Sequence, residues 1–132
     1  MAGIAIRGPR IISARTHAVI DYIHAATNFA VGALFWKRNR HRAAKGAFAL
    51  GAGVLANALM TDYPGGVFRV YPFKVHGILD YGVATASGFM PEMTGVRPHS
   101  PEGKFFRAQG AGEAGIAAIT DYDDDTGARR FR

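Results

Sequence analysis

The chain has no cysteine among its 132 residues, so disulfides and thiolate metal sites are excluded and the redox compartment is left open. Alternating apolar and polar runs, which are typical of β-strands, are also missing. There is no nucleophile elbow, no phosphate-binding glycine loop and no His-Glu-x-x-His string. Residues 1–12 contain no apolar core followed by a small-residue cleavage site, so we expect no export signal there. These absences favour a helical protein outside the common hydrolase and nucleotide-binding classes.

Acidic residues are few relative to basic ones. The chain has 16 Lys and Arg against 10 Asp and Glu, which gives a net charge of +6. A basic protein can bind nucleic acid or an anionic membrane surface. Here the one dense basic run, residues 37–42, falls in a predicted turn and has no nucleic-acid recognition motif around it. We therefore expect no nucleic-acid partner.

The most informative positive feature is an internal repeat with a fixed offset, in which residue 17 aligns with residue 76. The string His17-Ala-Val-Ile-Asp21-Tyr22 recurs as His76-Gly-Ile-Leu-Asp80-Tyr81, and Thr61-Asp62-Tyr63 recurs as Thr120-Asp121-Tyr122. Residues 15–63 and 74–122 align without a gap and share 14 identities in 49 positions. Agreement over that length indicates duplication, so the fold is predicted to contain two copies of one unit.

Each copy is predicted to form a helical hairpin, because apolar residues extend over helical lengths with breakers between them. We predict helices over about 14–36, 43–61, 73–90 and 104–120, with a basic turn at 37–42 and Pro and Gly in the two later connections. The fold class is therefore all-α: one domain over 1–132, built as a pseudo-twofold four-helix bundle. A basic segment, 1–13, precedes the repeats, and an acidic and basic tail, 123–132, is predicted to be solvated and mobile.

The predicted helices approach the ~20 apolar residues that a membrane span requires. Residues 46–60 are apolar on all sides, and Ala49/Gly53 and Ala108/Gly112 are small-residue pairs that allow close helix packing in lipid. Against this, the mean hydropathy is near zero, and Glu113 interrupts the fourth helix. We predict a membrane-embedded bundle, with a soluble bundle as the alternative.

The strings Val75-His76-Gly77-Ile78-Leu79-Asp80-Tyr81 and Leu59-Met60-Thr61-Asp62-Tyr63 resemble the small bacterial membrane proteins built from Ser-Pro-Trp (SPW) repeats. In that family, a His-x-x-Leu-Asp helix start precedes a Ser-Pro-Trp helix end and a second spanning helix that finishes near Thr-Asp-Tyr. The resemblance covers residues 15–122, with Met90-Pro91-Glu92 and Val31-Gly32-Ala33 in the Ser-Pro-Trp positions. It implies a four-helix protein of the bacterial inner membrane without assigned chemistry.

The polar residues kept in both copies are predicted to gather at one end of the bundle. Each His and Asp four residues apart share a helix face, and antiparallel hairpins bring the ends of the second and fourth helices to the same side. The predicted cluster contains His17, Asp21, Asp62, His76, Asp80 and Asp121, with Tyr22, Tyr63, Tyr81 and Tyr122 beside it. It could be a hydrogen-bonded lock between the hairpins, a site for one or two ions of zinc, iron or manganese, or a proton-handling group. The Glu-x-x-His motif of di-iron bundles is absent.

A second polar layer is predicted deeper in the bundle. His24 lies nearly two helical turns beyond His17, and Glu113 lies at a similar depth on the fourth helix. An isolated buried carboxylate is unfavourable, so we expect Glu113 to contact His24 or a ligand, unless it reaches water. His24 and Glu113 are therefore the candidate cofactor-binding residues.

The combined pattern predicts a small structural or accessory membrane subunit rather than an enzyme. Its expected partners are the lipid bilayer and other membrane subunits or further copies of itself. Two alternatives stay open: a metal-binding or redox protein that uses the His and Asp cluster, and a pigment- or haem-carrying subunit with a buried histidine as axial ligand.

Overall fold

A computed structural model describes residues 8–132, so the first seven residues of the predicted basic segment lie outside the described part. The described chain is all-α apart from short strand pairings. Its elements are α1 Ala14–Lys37, α2 His41–Met60, β1 Thr61–Asp62, β2 Tyr71–Pro72, α3 Phe73–Gly88, α4 Met90–Thr94 and α5 Pro101–Ala118. The four long helices match the four predicted ones within three residues at each end.

Local chemistry sets the ends of the helices. The Ser13 side chain accepts a hydrogen bond from the N–H of Thr16 at the start of α1, which is the usual N-cap arrangement. Ser100 caps α5 in the same way, and Pro101 occupies the first helical position, so α5 begins before the predicted residue 104. Gly95 ends α4 with a φ of 74°, in the left-handed region that glycine adopts easily.

Helix α1 packs along α2, and α3 packs along α5, as the two hairpins require. Within each hairpin, the two helices approach closely at equivalent glycines of the two copies. A Cβ atom on Gly51 would lie 3.3 Å from the carbonyl oxygen of Ala25, and one on Gly110 would lie 2.7 Å from that of Ala84. Because Ala25 and Ala84 are also one repeat apart, both hairpins use the same backbone contact.

The predicted small-residue pairs do not make this contact. A Cβ atom on Gly53 or Gly112 would meet no atom within 4 Å, and both glycines are exposed. Two residues along a helix correspond to about 200° of rotation, so they lie on the side opposite to Gly51 and Gly110. The structure corrects the positions through which the helices of each hairpin approach one another.

The two copies are joined crosswise by short parallel pairings that the sequence did not predict. Thr61, at the end of the first hairpin, pairs with Tyr71, just before the second. Thr120, at the end of the second hairpin, pairs with Ile12, just before the first. Since Ile12 and Tyr71 are separated by the repeat offset, the two pairings join equivalent positions of the two copies.

The symmetry extends upstream of the aligned repeats. The N–H of Gly8 donates to the carbonyl of Ala118 at 2.9 Å, and the N–H of Val67 donates to that of Leu59 at 2.9 Å. The two donors are one repeat offset apart, and so are the two acceptors. The structural repeat therefore includes the extended segments before α1 and α3, where side-chain identity is low and the backbone carries the pairing.

The backbone of the C-terminal tail is docked, which corrects the prediction of a mobile end, although most of its residues are exposed as predicted. The Asp62 carboxylate accepts hydrogen bonds of 2.7–3.1 Å from the backbone N–H groups of Arg129, Arg130 and Phe131. It also pairs with the buried Arg69 at 2.8 Å. Burial opposes ionisation of Asp62, but these donors outweigh burial and hold its pKa well below its ordinary value. Asp62 therefore anchors the tail as a carboxylate.

Gly110→Ala should destabilise the protein by about 1–3 kcal/mol, because the new methyl group would press against backbone atoms that cannot move aside. Gly112→Ala is the matched control on the same helix, and it should leave the melting temperature nearly unchanged. Thermal unfolding followed by circular dichroism would measure both. Equal melting temperatures for the two variants would contradict the close contact between α3 and α5.

Asp62→Ala should release the tail and leave the buried Arg69 without its carboxylate, at a cost of about 3 kcal/mol. Hydrogen exchange at the amides of residues 129–131 should then accelerate by ~10-fold or more. Asp125→Ala, at an exposed position in the same tail, is the control and should keep the protection.

Acid should weaken the same anchor. The folded pKa of Asp62 lies below the unfolded value of ~3.9, so its contribution is present above the unfolded pKa, declines as the pH falls below it and is lost only as the pH falls through the folded pKa. Between about pH 5 and pH 2, the unfolding free energy of the wild type should therefore fall more than that of Asp62→Ala. Equal decreases in the two proteins would contradict this anchor.

Candidate functional site

Four polar side chains meet between α1 and α3, and they form what we call the His2Asp2 cluster: His17, Asp21, His76 and Asp80. Each residue is at most 4 % exposed, and one ligand atom from each lies within 4.8 Å of the others. The His–Asp spacing of one helical turn places each pair on one face of its helix. The duplicated sequence therefore delivers two identical halves to one place.

The imidazole Nε2 atoms point at the centre of the cluster. They lie 3.2 Å from each other. His17 Nε2 is 3.3 Å from an Asp21 oxygen and 3.0 Å from an Asp80 oxygen, and His76 Nε2 is 3.1 Å from an oxygen of each aspartate. Each carboxylate thus bridges both histidines.

Threonine hydroxyls hold the other side of each ring. His17 Nδ1 is 2.9 Å from the Thr120 hydroxyl, and His76 Nδ1 is 2.7 Å from the Thr61 hydroxyl. Both hydroxyls donate to a carbonyl four residues earlier in the chain. Because each hydroxyl has one hydrogen to donate, it must accept from the imidazole. The proton of each ring is therefore on Nδ1, and Nε2 is free to carry a further proton or a ligand.

Tyrosines complete the shell around the carboxylates. Tyr63 donates to Asp21 at 2.7 Å, and Tyr122 donates to Asp80 at 2.7 Å. Burial, together with the charge of the adjacent aspartate, raises the pKa of both tyrosines far above its ordinary value, so their hydroxyls stay protonated donors. Asn57 gives Asp80 a further contact at 3.3 Å.

The network links the two hairpins in the same crosswise sense as the backbone. Thr61 belongs to the first copy and holds His76 of the second, whereas Thr120 of the second copy holds His17 of the first. Separation of the hairpins would break both of these bonds together with the contacts between histidines and aspartates. The contacts that join the hairpins come from pairs of equivalent His, Asp, Thr and Tyr residues: His17/His76, Asp21/Asp80, Thr61/Thr120 and Tyr63/Tyr122.

Two of the six predicted cluster members are not part of it. Asp62 is occupied by Arg69 and the C-terminal tail. Asp121 lies 3.5 Å from Arg10, at the equivalent position of the second copy. Both aspartates lie at the predicted end of the molecule, but their arginine partners turn them away from the histidines. The sequence contained a signal for this, because Arg10 and Arg69 are themselves separated by the repeat offset.

The other two predicted tyrosines also lie outside the cluster. Tyr22 donates to the carbonyl of Gly65 at 2.6 Å, and Tyr81 is half-buried on α3. In contrast, Thr61 and Thr120 were part of the repeated strings and were not assigned a role. Their hydroxyls could be assigned only once the crosswise packing was known, since each acts on a histidine of the other copy.

The predicted second layer is formed. Glu113 is 9 % exposed, and its Oε2 lies 3.3 Å from His24 Nδ1. Gln109 donates to the Ser87 hydroxyl, so its oxygen accepts from His24 Nε2 at 3.1 Å. With its proton on Nε2, His24 presents a bare Nδ1 to Glu113, and a favourable contact requires one more proton between the two groups. Their predicted role in cofactor binding stays a prediction.

A cavity of about 240 Å³ connects the second layer to the His2Asp2 cluster between α1 and α5. Its polar wall comes from both layers: His17, Asp21, His24, Asp80, Gln109 and Glu113. A second cavity of about 470 Å³ lies at the symmetry-related flank and is lined by Leu50, Asn57 and Val83, the repeat mates of Gln109, Ile116 and His24. Only the first cavity includes members of the cluster in its wall.

Comparison with family models, with curated proteins and with solved structures returned no match. The resemblance to SPW repeat proteins therefore stays a prediction, and the chemistry of the site has to be argued from its geometry. The Nε2 atoms of His17 and His76 face each other at 3.2 Å, which leaves no space for a haem macrocycle between these two histidines. The alternative of a haem or pigment held by one other buried histidine stays a prediction.

Glu113→Gln should be tolerated, with a change in unfolding free energy of about 0.5 kcal/mol or less, because an amide at this position is neutral and offers a donor to His24 Nδ1, which lies 3.3 Å from Glu113 Oε2. Glu113→Leu should cost about 1–3 kcal/mol, since His24 Nδ1 would lose its partner. Thermal unfolding of the two variants would show whether a proton lies between Glu113 and His24. A strongly destabilised Glu113→Gln variant would show that the carboxylate is charged instead.

Proposed function

We propose that this chain is a small four-helix membrane protein that serves as a structural or accessory subunit, with the His2Asp2 cluster locking its two hairpins. The observation that carries the proposal is the placement of charge. Between the ends of the helices, residues 18–36, 46–60, 75–91 and 108–119 contain only three Asp, Glu, Lys or Arg side chains. These three, Asp21, Asp80 and Glu113, are all buried.

The outward faces of the same segments are apolar. Large hydrophobic side chains that are 37–71 % exposed include Val19, Ile23, Leu34, Val75, Ile78 and Leu79. In water, each exposed apolar side chain forgoes about 25 cal/mol for every Å² left unburied, and polar residues normally occupy such positions. Charged side chains in the interior and apolar side chains on the exterior are the arrangement expected in lipid.

The lengths of two of the four long helices are consistent with a bilayer. Two helices, α1 and α2, are long and apolar enough to cross a membrane by length and composition, although the core helix of a soluble protein can satisfy the same criterion. The part of α3 without outward charge, residues 75–88, spans roughly 21 Å at ~1.5 Å per residue, against the ~30 Å hydrocarbon thickness of a membrane.

Charged and aromatic groups lie at the boundaries of this apolar zone. The turn between α1 and α2 carries Lys37 and Arg38 beside Trp36, which is 47 % exposed and stacks on His41. The other end carries exposed Arg15 and Lys74. Exposed tryptophan and basic side chains at helix ends are typical of membrane–water interfaces.

The accessory role follows from what the cluster joins. Its hydrogen bonds connect the two halves of the same chain, so its immediate effect is to fix the hairpins relative to each other. The uncharged outward faces then remain available to lipid and to other membrane subunits or further copies of the chain. The bacterial inner membrane is the location that the SPW resemblance implies.

Membrane insertion can be tested with two substitutions of similar exposure. Ile23→Asp, in the middle of α1, should impair insertion by about 2.5–3.5 kcal/mol, whereas Val67→Asp, in the loop between the hairpins, should not. Ile23 and Val67 are 60 % and 63 % exposed, so a soluble protein would tolerate both changes equally. Resistance of the wild type and of each variant to alkaline carbonate extraction is the measurement. Release of the wild-type protein into the supernatant would exclude the proposal.

A further inference from the structure

We propose that the His2Asp2 cluster binds one divalent ion of the zinc, iron or manganese class, coordinated by His17, Asp21, His76 and Asp80. This deepens the proposed lock, because the ion itself would join the two hairpins. It does not depend on the membrane, since the ligand geometry would be the same in a soluble bundle. Four steps carry the inference: the direction of the imidazoles, the spacing of the donors, their charge and the support around them.

The imidazoles are oriented as metal ligands are. A metal-bound histidine presents one bare nitrogen to the ion and donates its other N–H to a fixed acceptor. Here both Nδ1–H groups are held by threonine hydroxyls, at 2.9 Å for His17 and 2.7 Å for His76. Both Nε2 atoms consequently face the same point with their lone pairs available.

The donors are close enough to share one ion. Two ligands placed ~2.0–2.1 Å from one tetrahedral ion lie ~3.3 Å apart, and the Nε2 atoms are 3.2 Å apart. Each Nε2 atom lies 3.0–3.3 Å from one oxygen of each aspartate, and one ligand atom from each of the four residues lies within 4.8 Å of the others. Because both oxygens of each aspartate face the histidines, the carboxylates could also bind through two oxygens and serve a metal with a higher coordination number.

The charge of the donors suits a cation at the centre. Two buried carboxylates require compensating positive charge nearby. One divalent cation would provide two positive charges and accept the lone pairs of both Nε2 atoms, which face each other at 3.2 Å.

The surroundings supply the outer shell and the route that a metal site needs. Tyr63 and Tyr122 donate to the carboxylates, which fixes the rotation of Asp21 and Asp80. The cavity of about 240 Å³ reaches the cluster from the flank and has ligand residues in its wall. An ion could therefore enter the folded protein without separation of the hairpins.

The experiment uses the full chain purified in detergent, stripped with a chelator and titrated with Zn²⁺ against a chromophoric competitor. We expect one Zn²⁺ per chain, and we expect Zn²⁺ to raise the melting temperature of the stripped protein by several degrees. Asp80→Asn, which keeps the shape and loses the charge, should weaken binding by at least ~10-fold. His41→Gln removes an exposed histidine outside the cluster and should bind as the wild type does.

Thr120→Val is the second variant, and it keeps the test decisive if Asp80→Asn does not fold. It removes the acceptor that orients His17 and leaves all four ligands in place, so Zn²⁺ affinity should fall by ~10–100-fold. X-ray absorption should show a shell of nitrogen and oxygen only, with imidazole scattering.

Three results would overturn the site. They are no retained Zn²⁺, equal retention by wild type and Asp80→Asn, or a melting temperature that Zn²⁺ does not change. None of these bears on carbonate extraction, so failure of the metal site and failure of membrane insertion are separate outcomes.

Discussion

The rest of the structure depends on two carboxylates, Asp21 and Asp80, that are nearly excluded from solvent. A buried carboxylate is tolerated only with compensating charge and hydrogen bonds. Each compensating group places its own demand on the fold. The histidines must face both aspartates, which requires α1 and α3 to lie together, and the tyrosines must reach back from the ends of the hairpins. Compensation of these two buried carboxylates thus constrains how the two hairpins are oriented.

Duplication supplies these groups in pairs. Each copy provides a His, an Asp, a Thr and a Tyr, so each contact made by one copy is also made by the other. The crosswise threonines are the decisive feature, because Thr61 and Thr120 each stabilise a histidine of the opposite copy. An isolated hairpin would leave its own histidine without that acceptor. The polar network therefore favours association of the copies as well as their internal packing.

The sequence predicted the parts that follow from periodicity and missed those that follow from long-range pairing. The fixed repeat offset was sufficient for four helices, for the meeting of His17 with His76 and for the depth of Glu113. It placed Asp62 at the correct end but could not show its partners, because Arg69 and the tail at 129–131 meet it only in three dimensions. The strand pairings at Ile12 and Tyr71 were equally hidden, since backbone hydrogen bonds leave little trace in side-chain identity.

The two copies have diverged on one flank while the cluster stayed symmetric. Val83 and Leu50 on one flank are the repeat mates of His24 and Gln109 on the other, and Val54 is the repeat mate of Glu113. All three substitutions place polar groups around the cavity that reaches the cluster, and the related cavity lacks cluster residues in its wall. The other flank keeps a polar side chain of its own, Asn57, which lines the related cavity and lies 3.3 Å from Asp80. The repeated residues therefore hold the hairpins together, whereas the flanks, where the copies differ, present different side chains to the cluster.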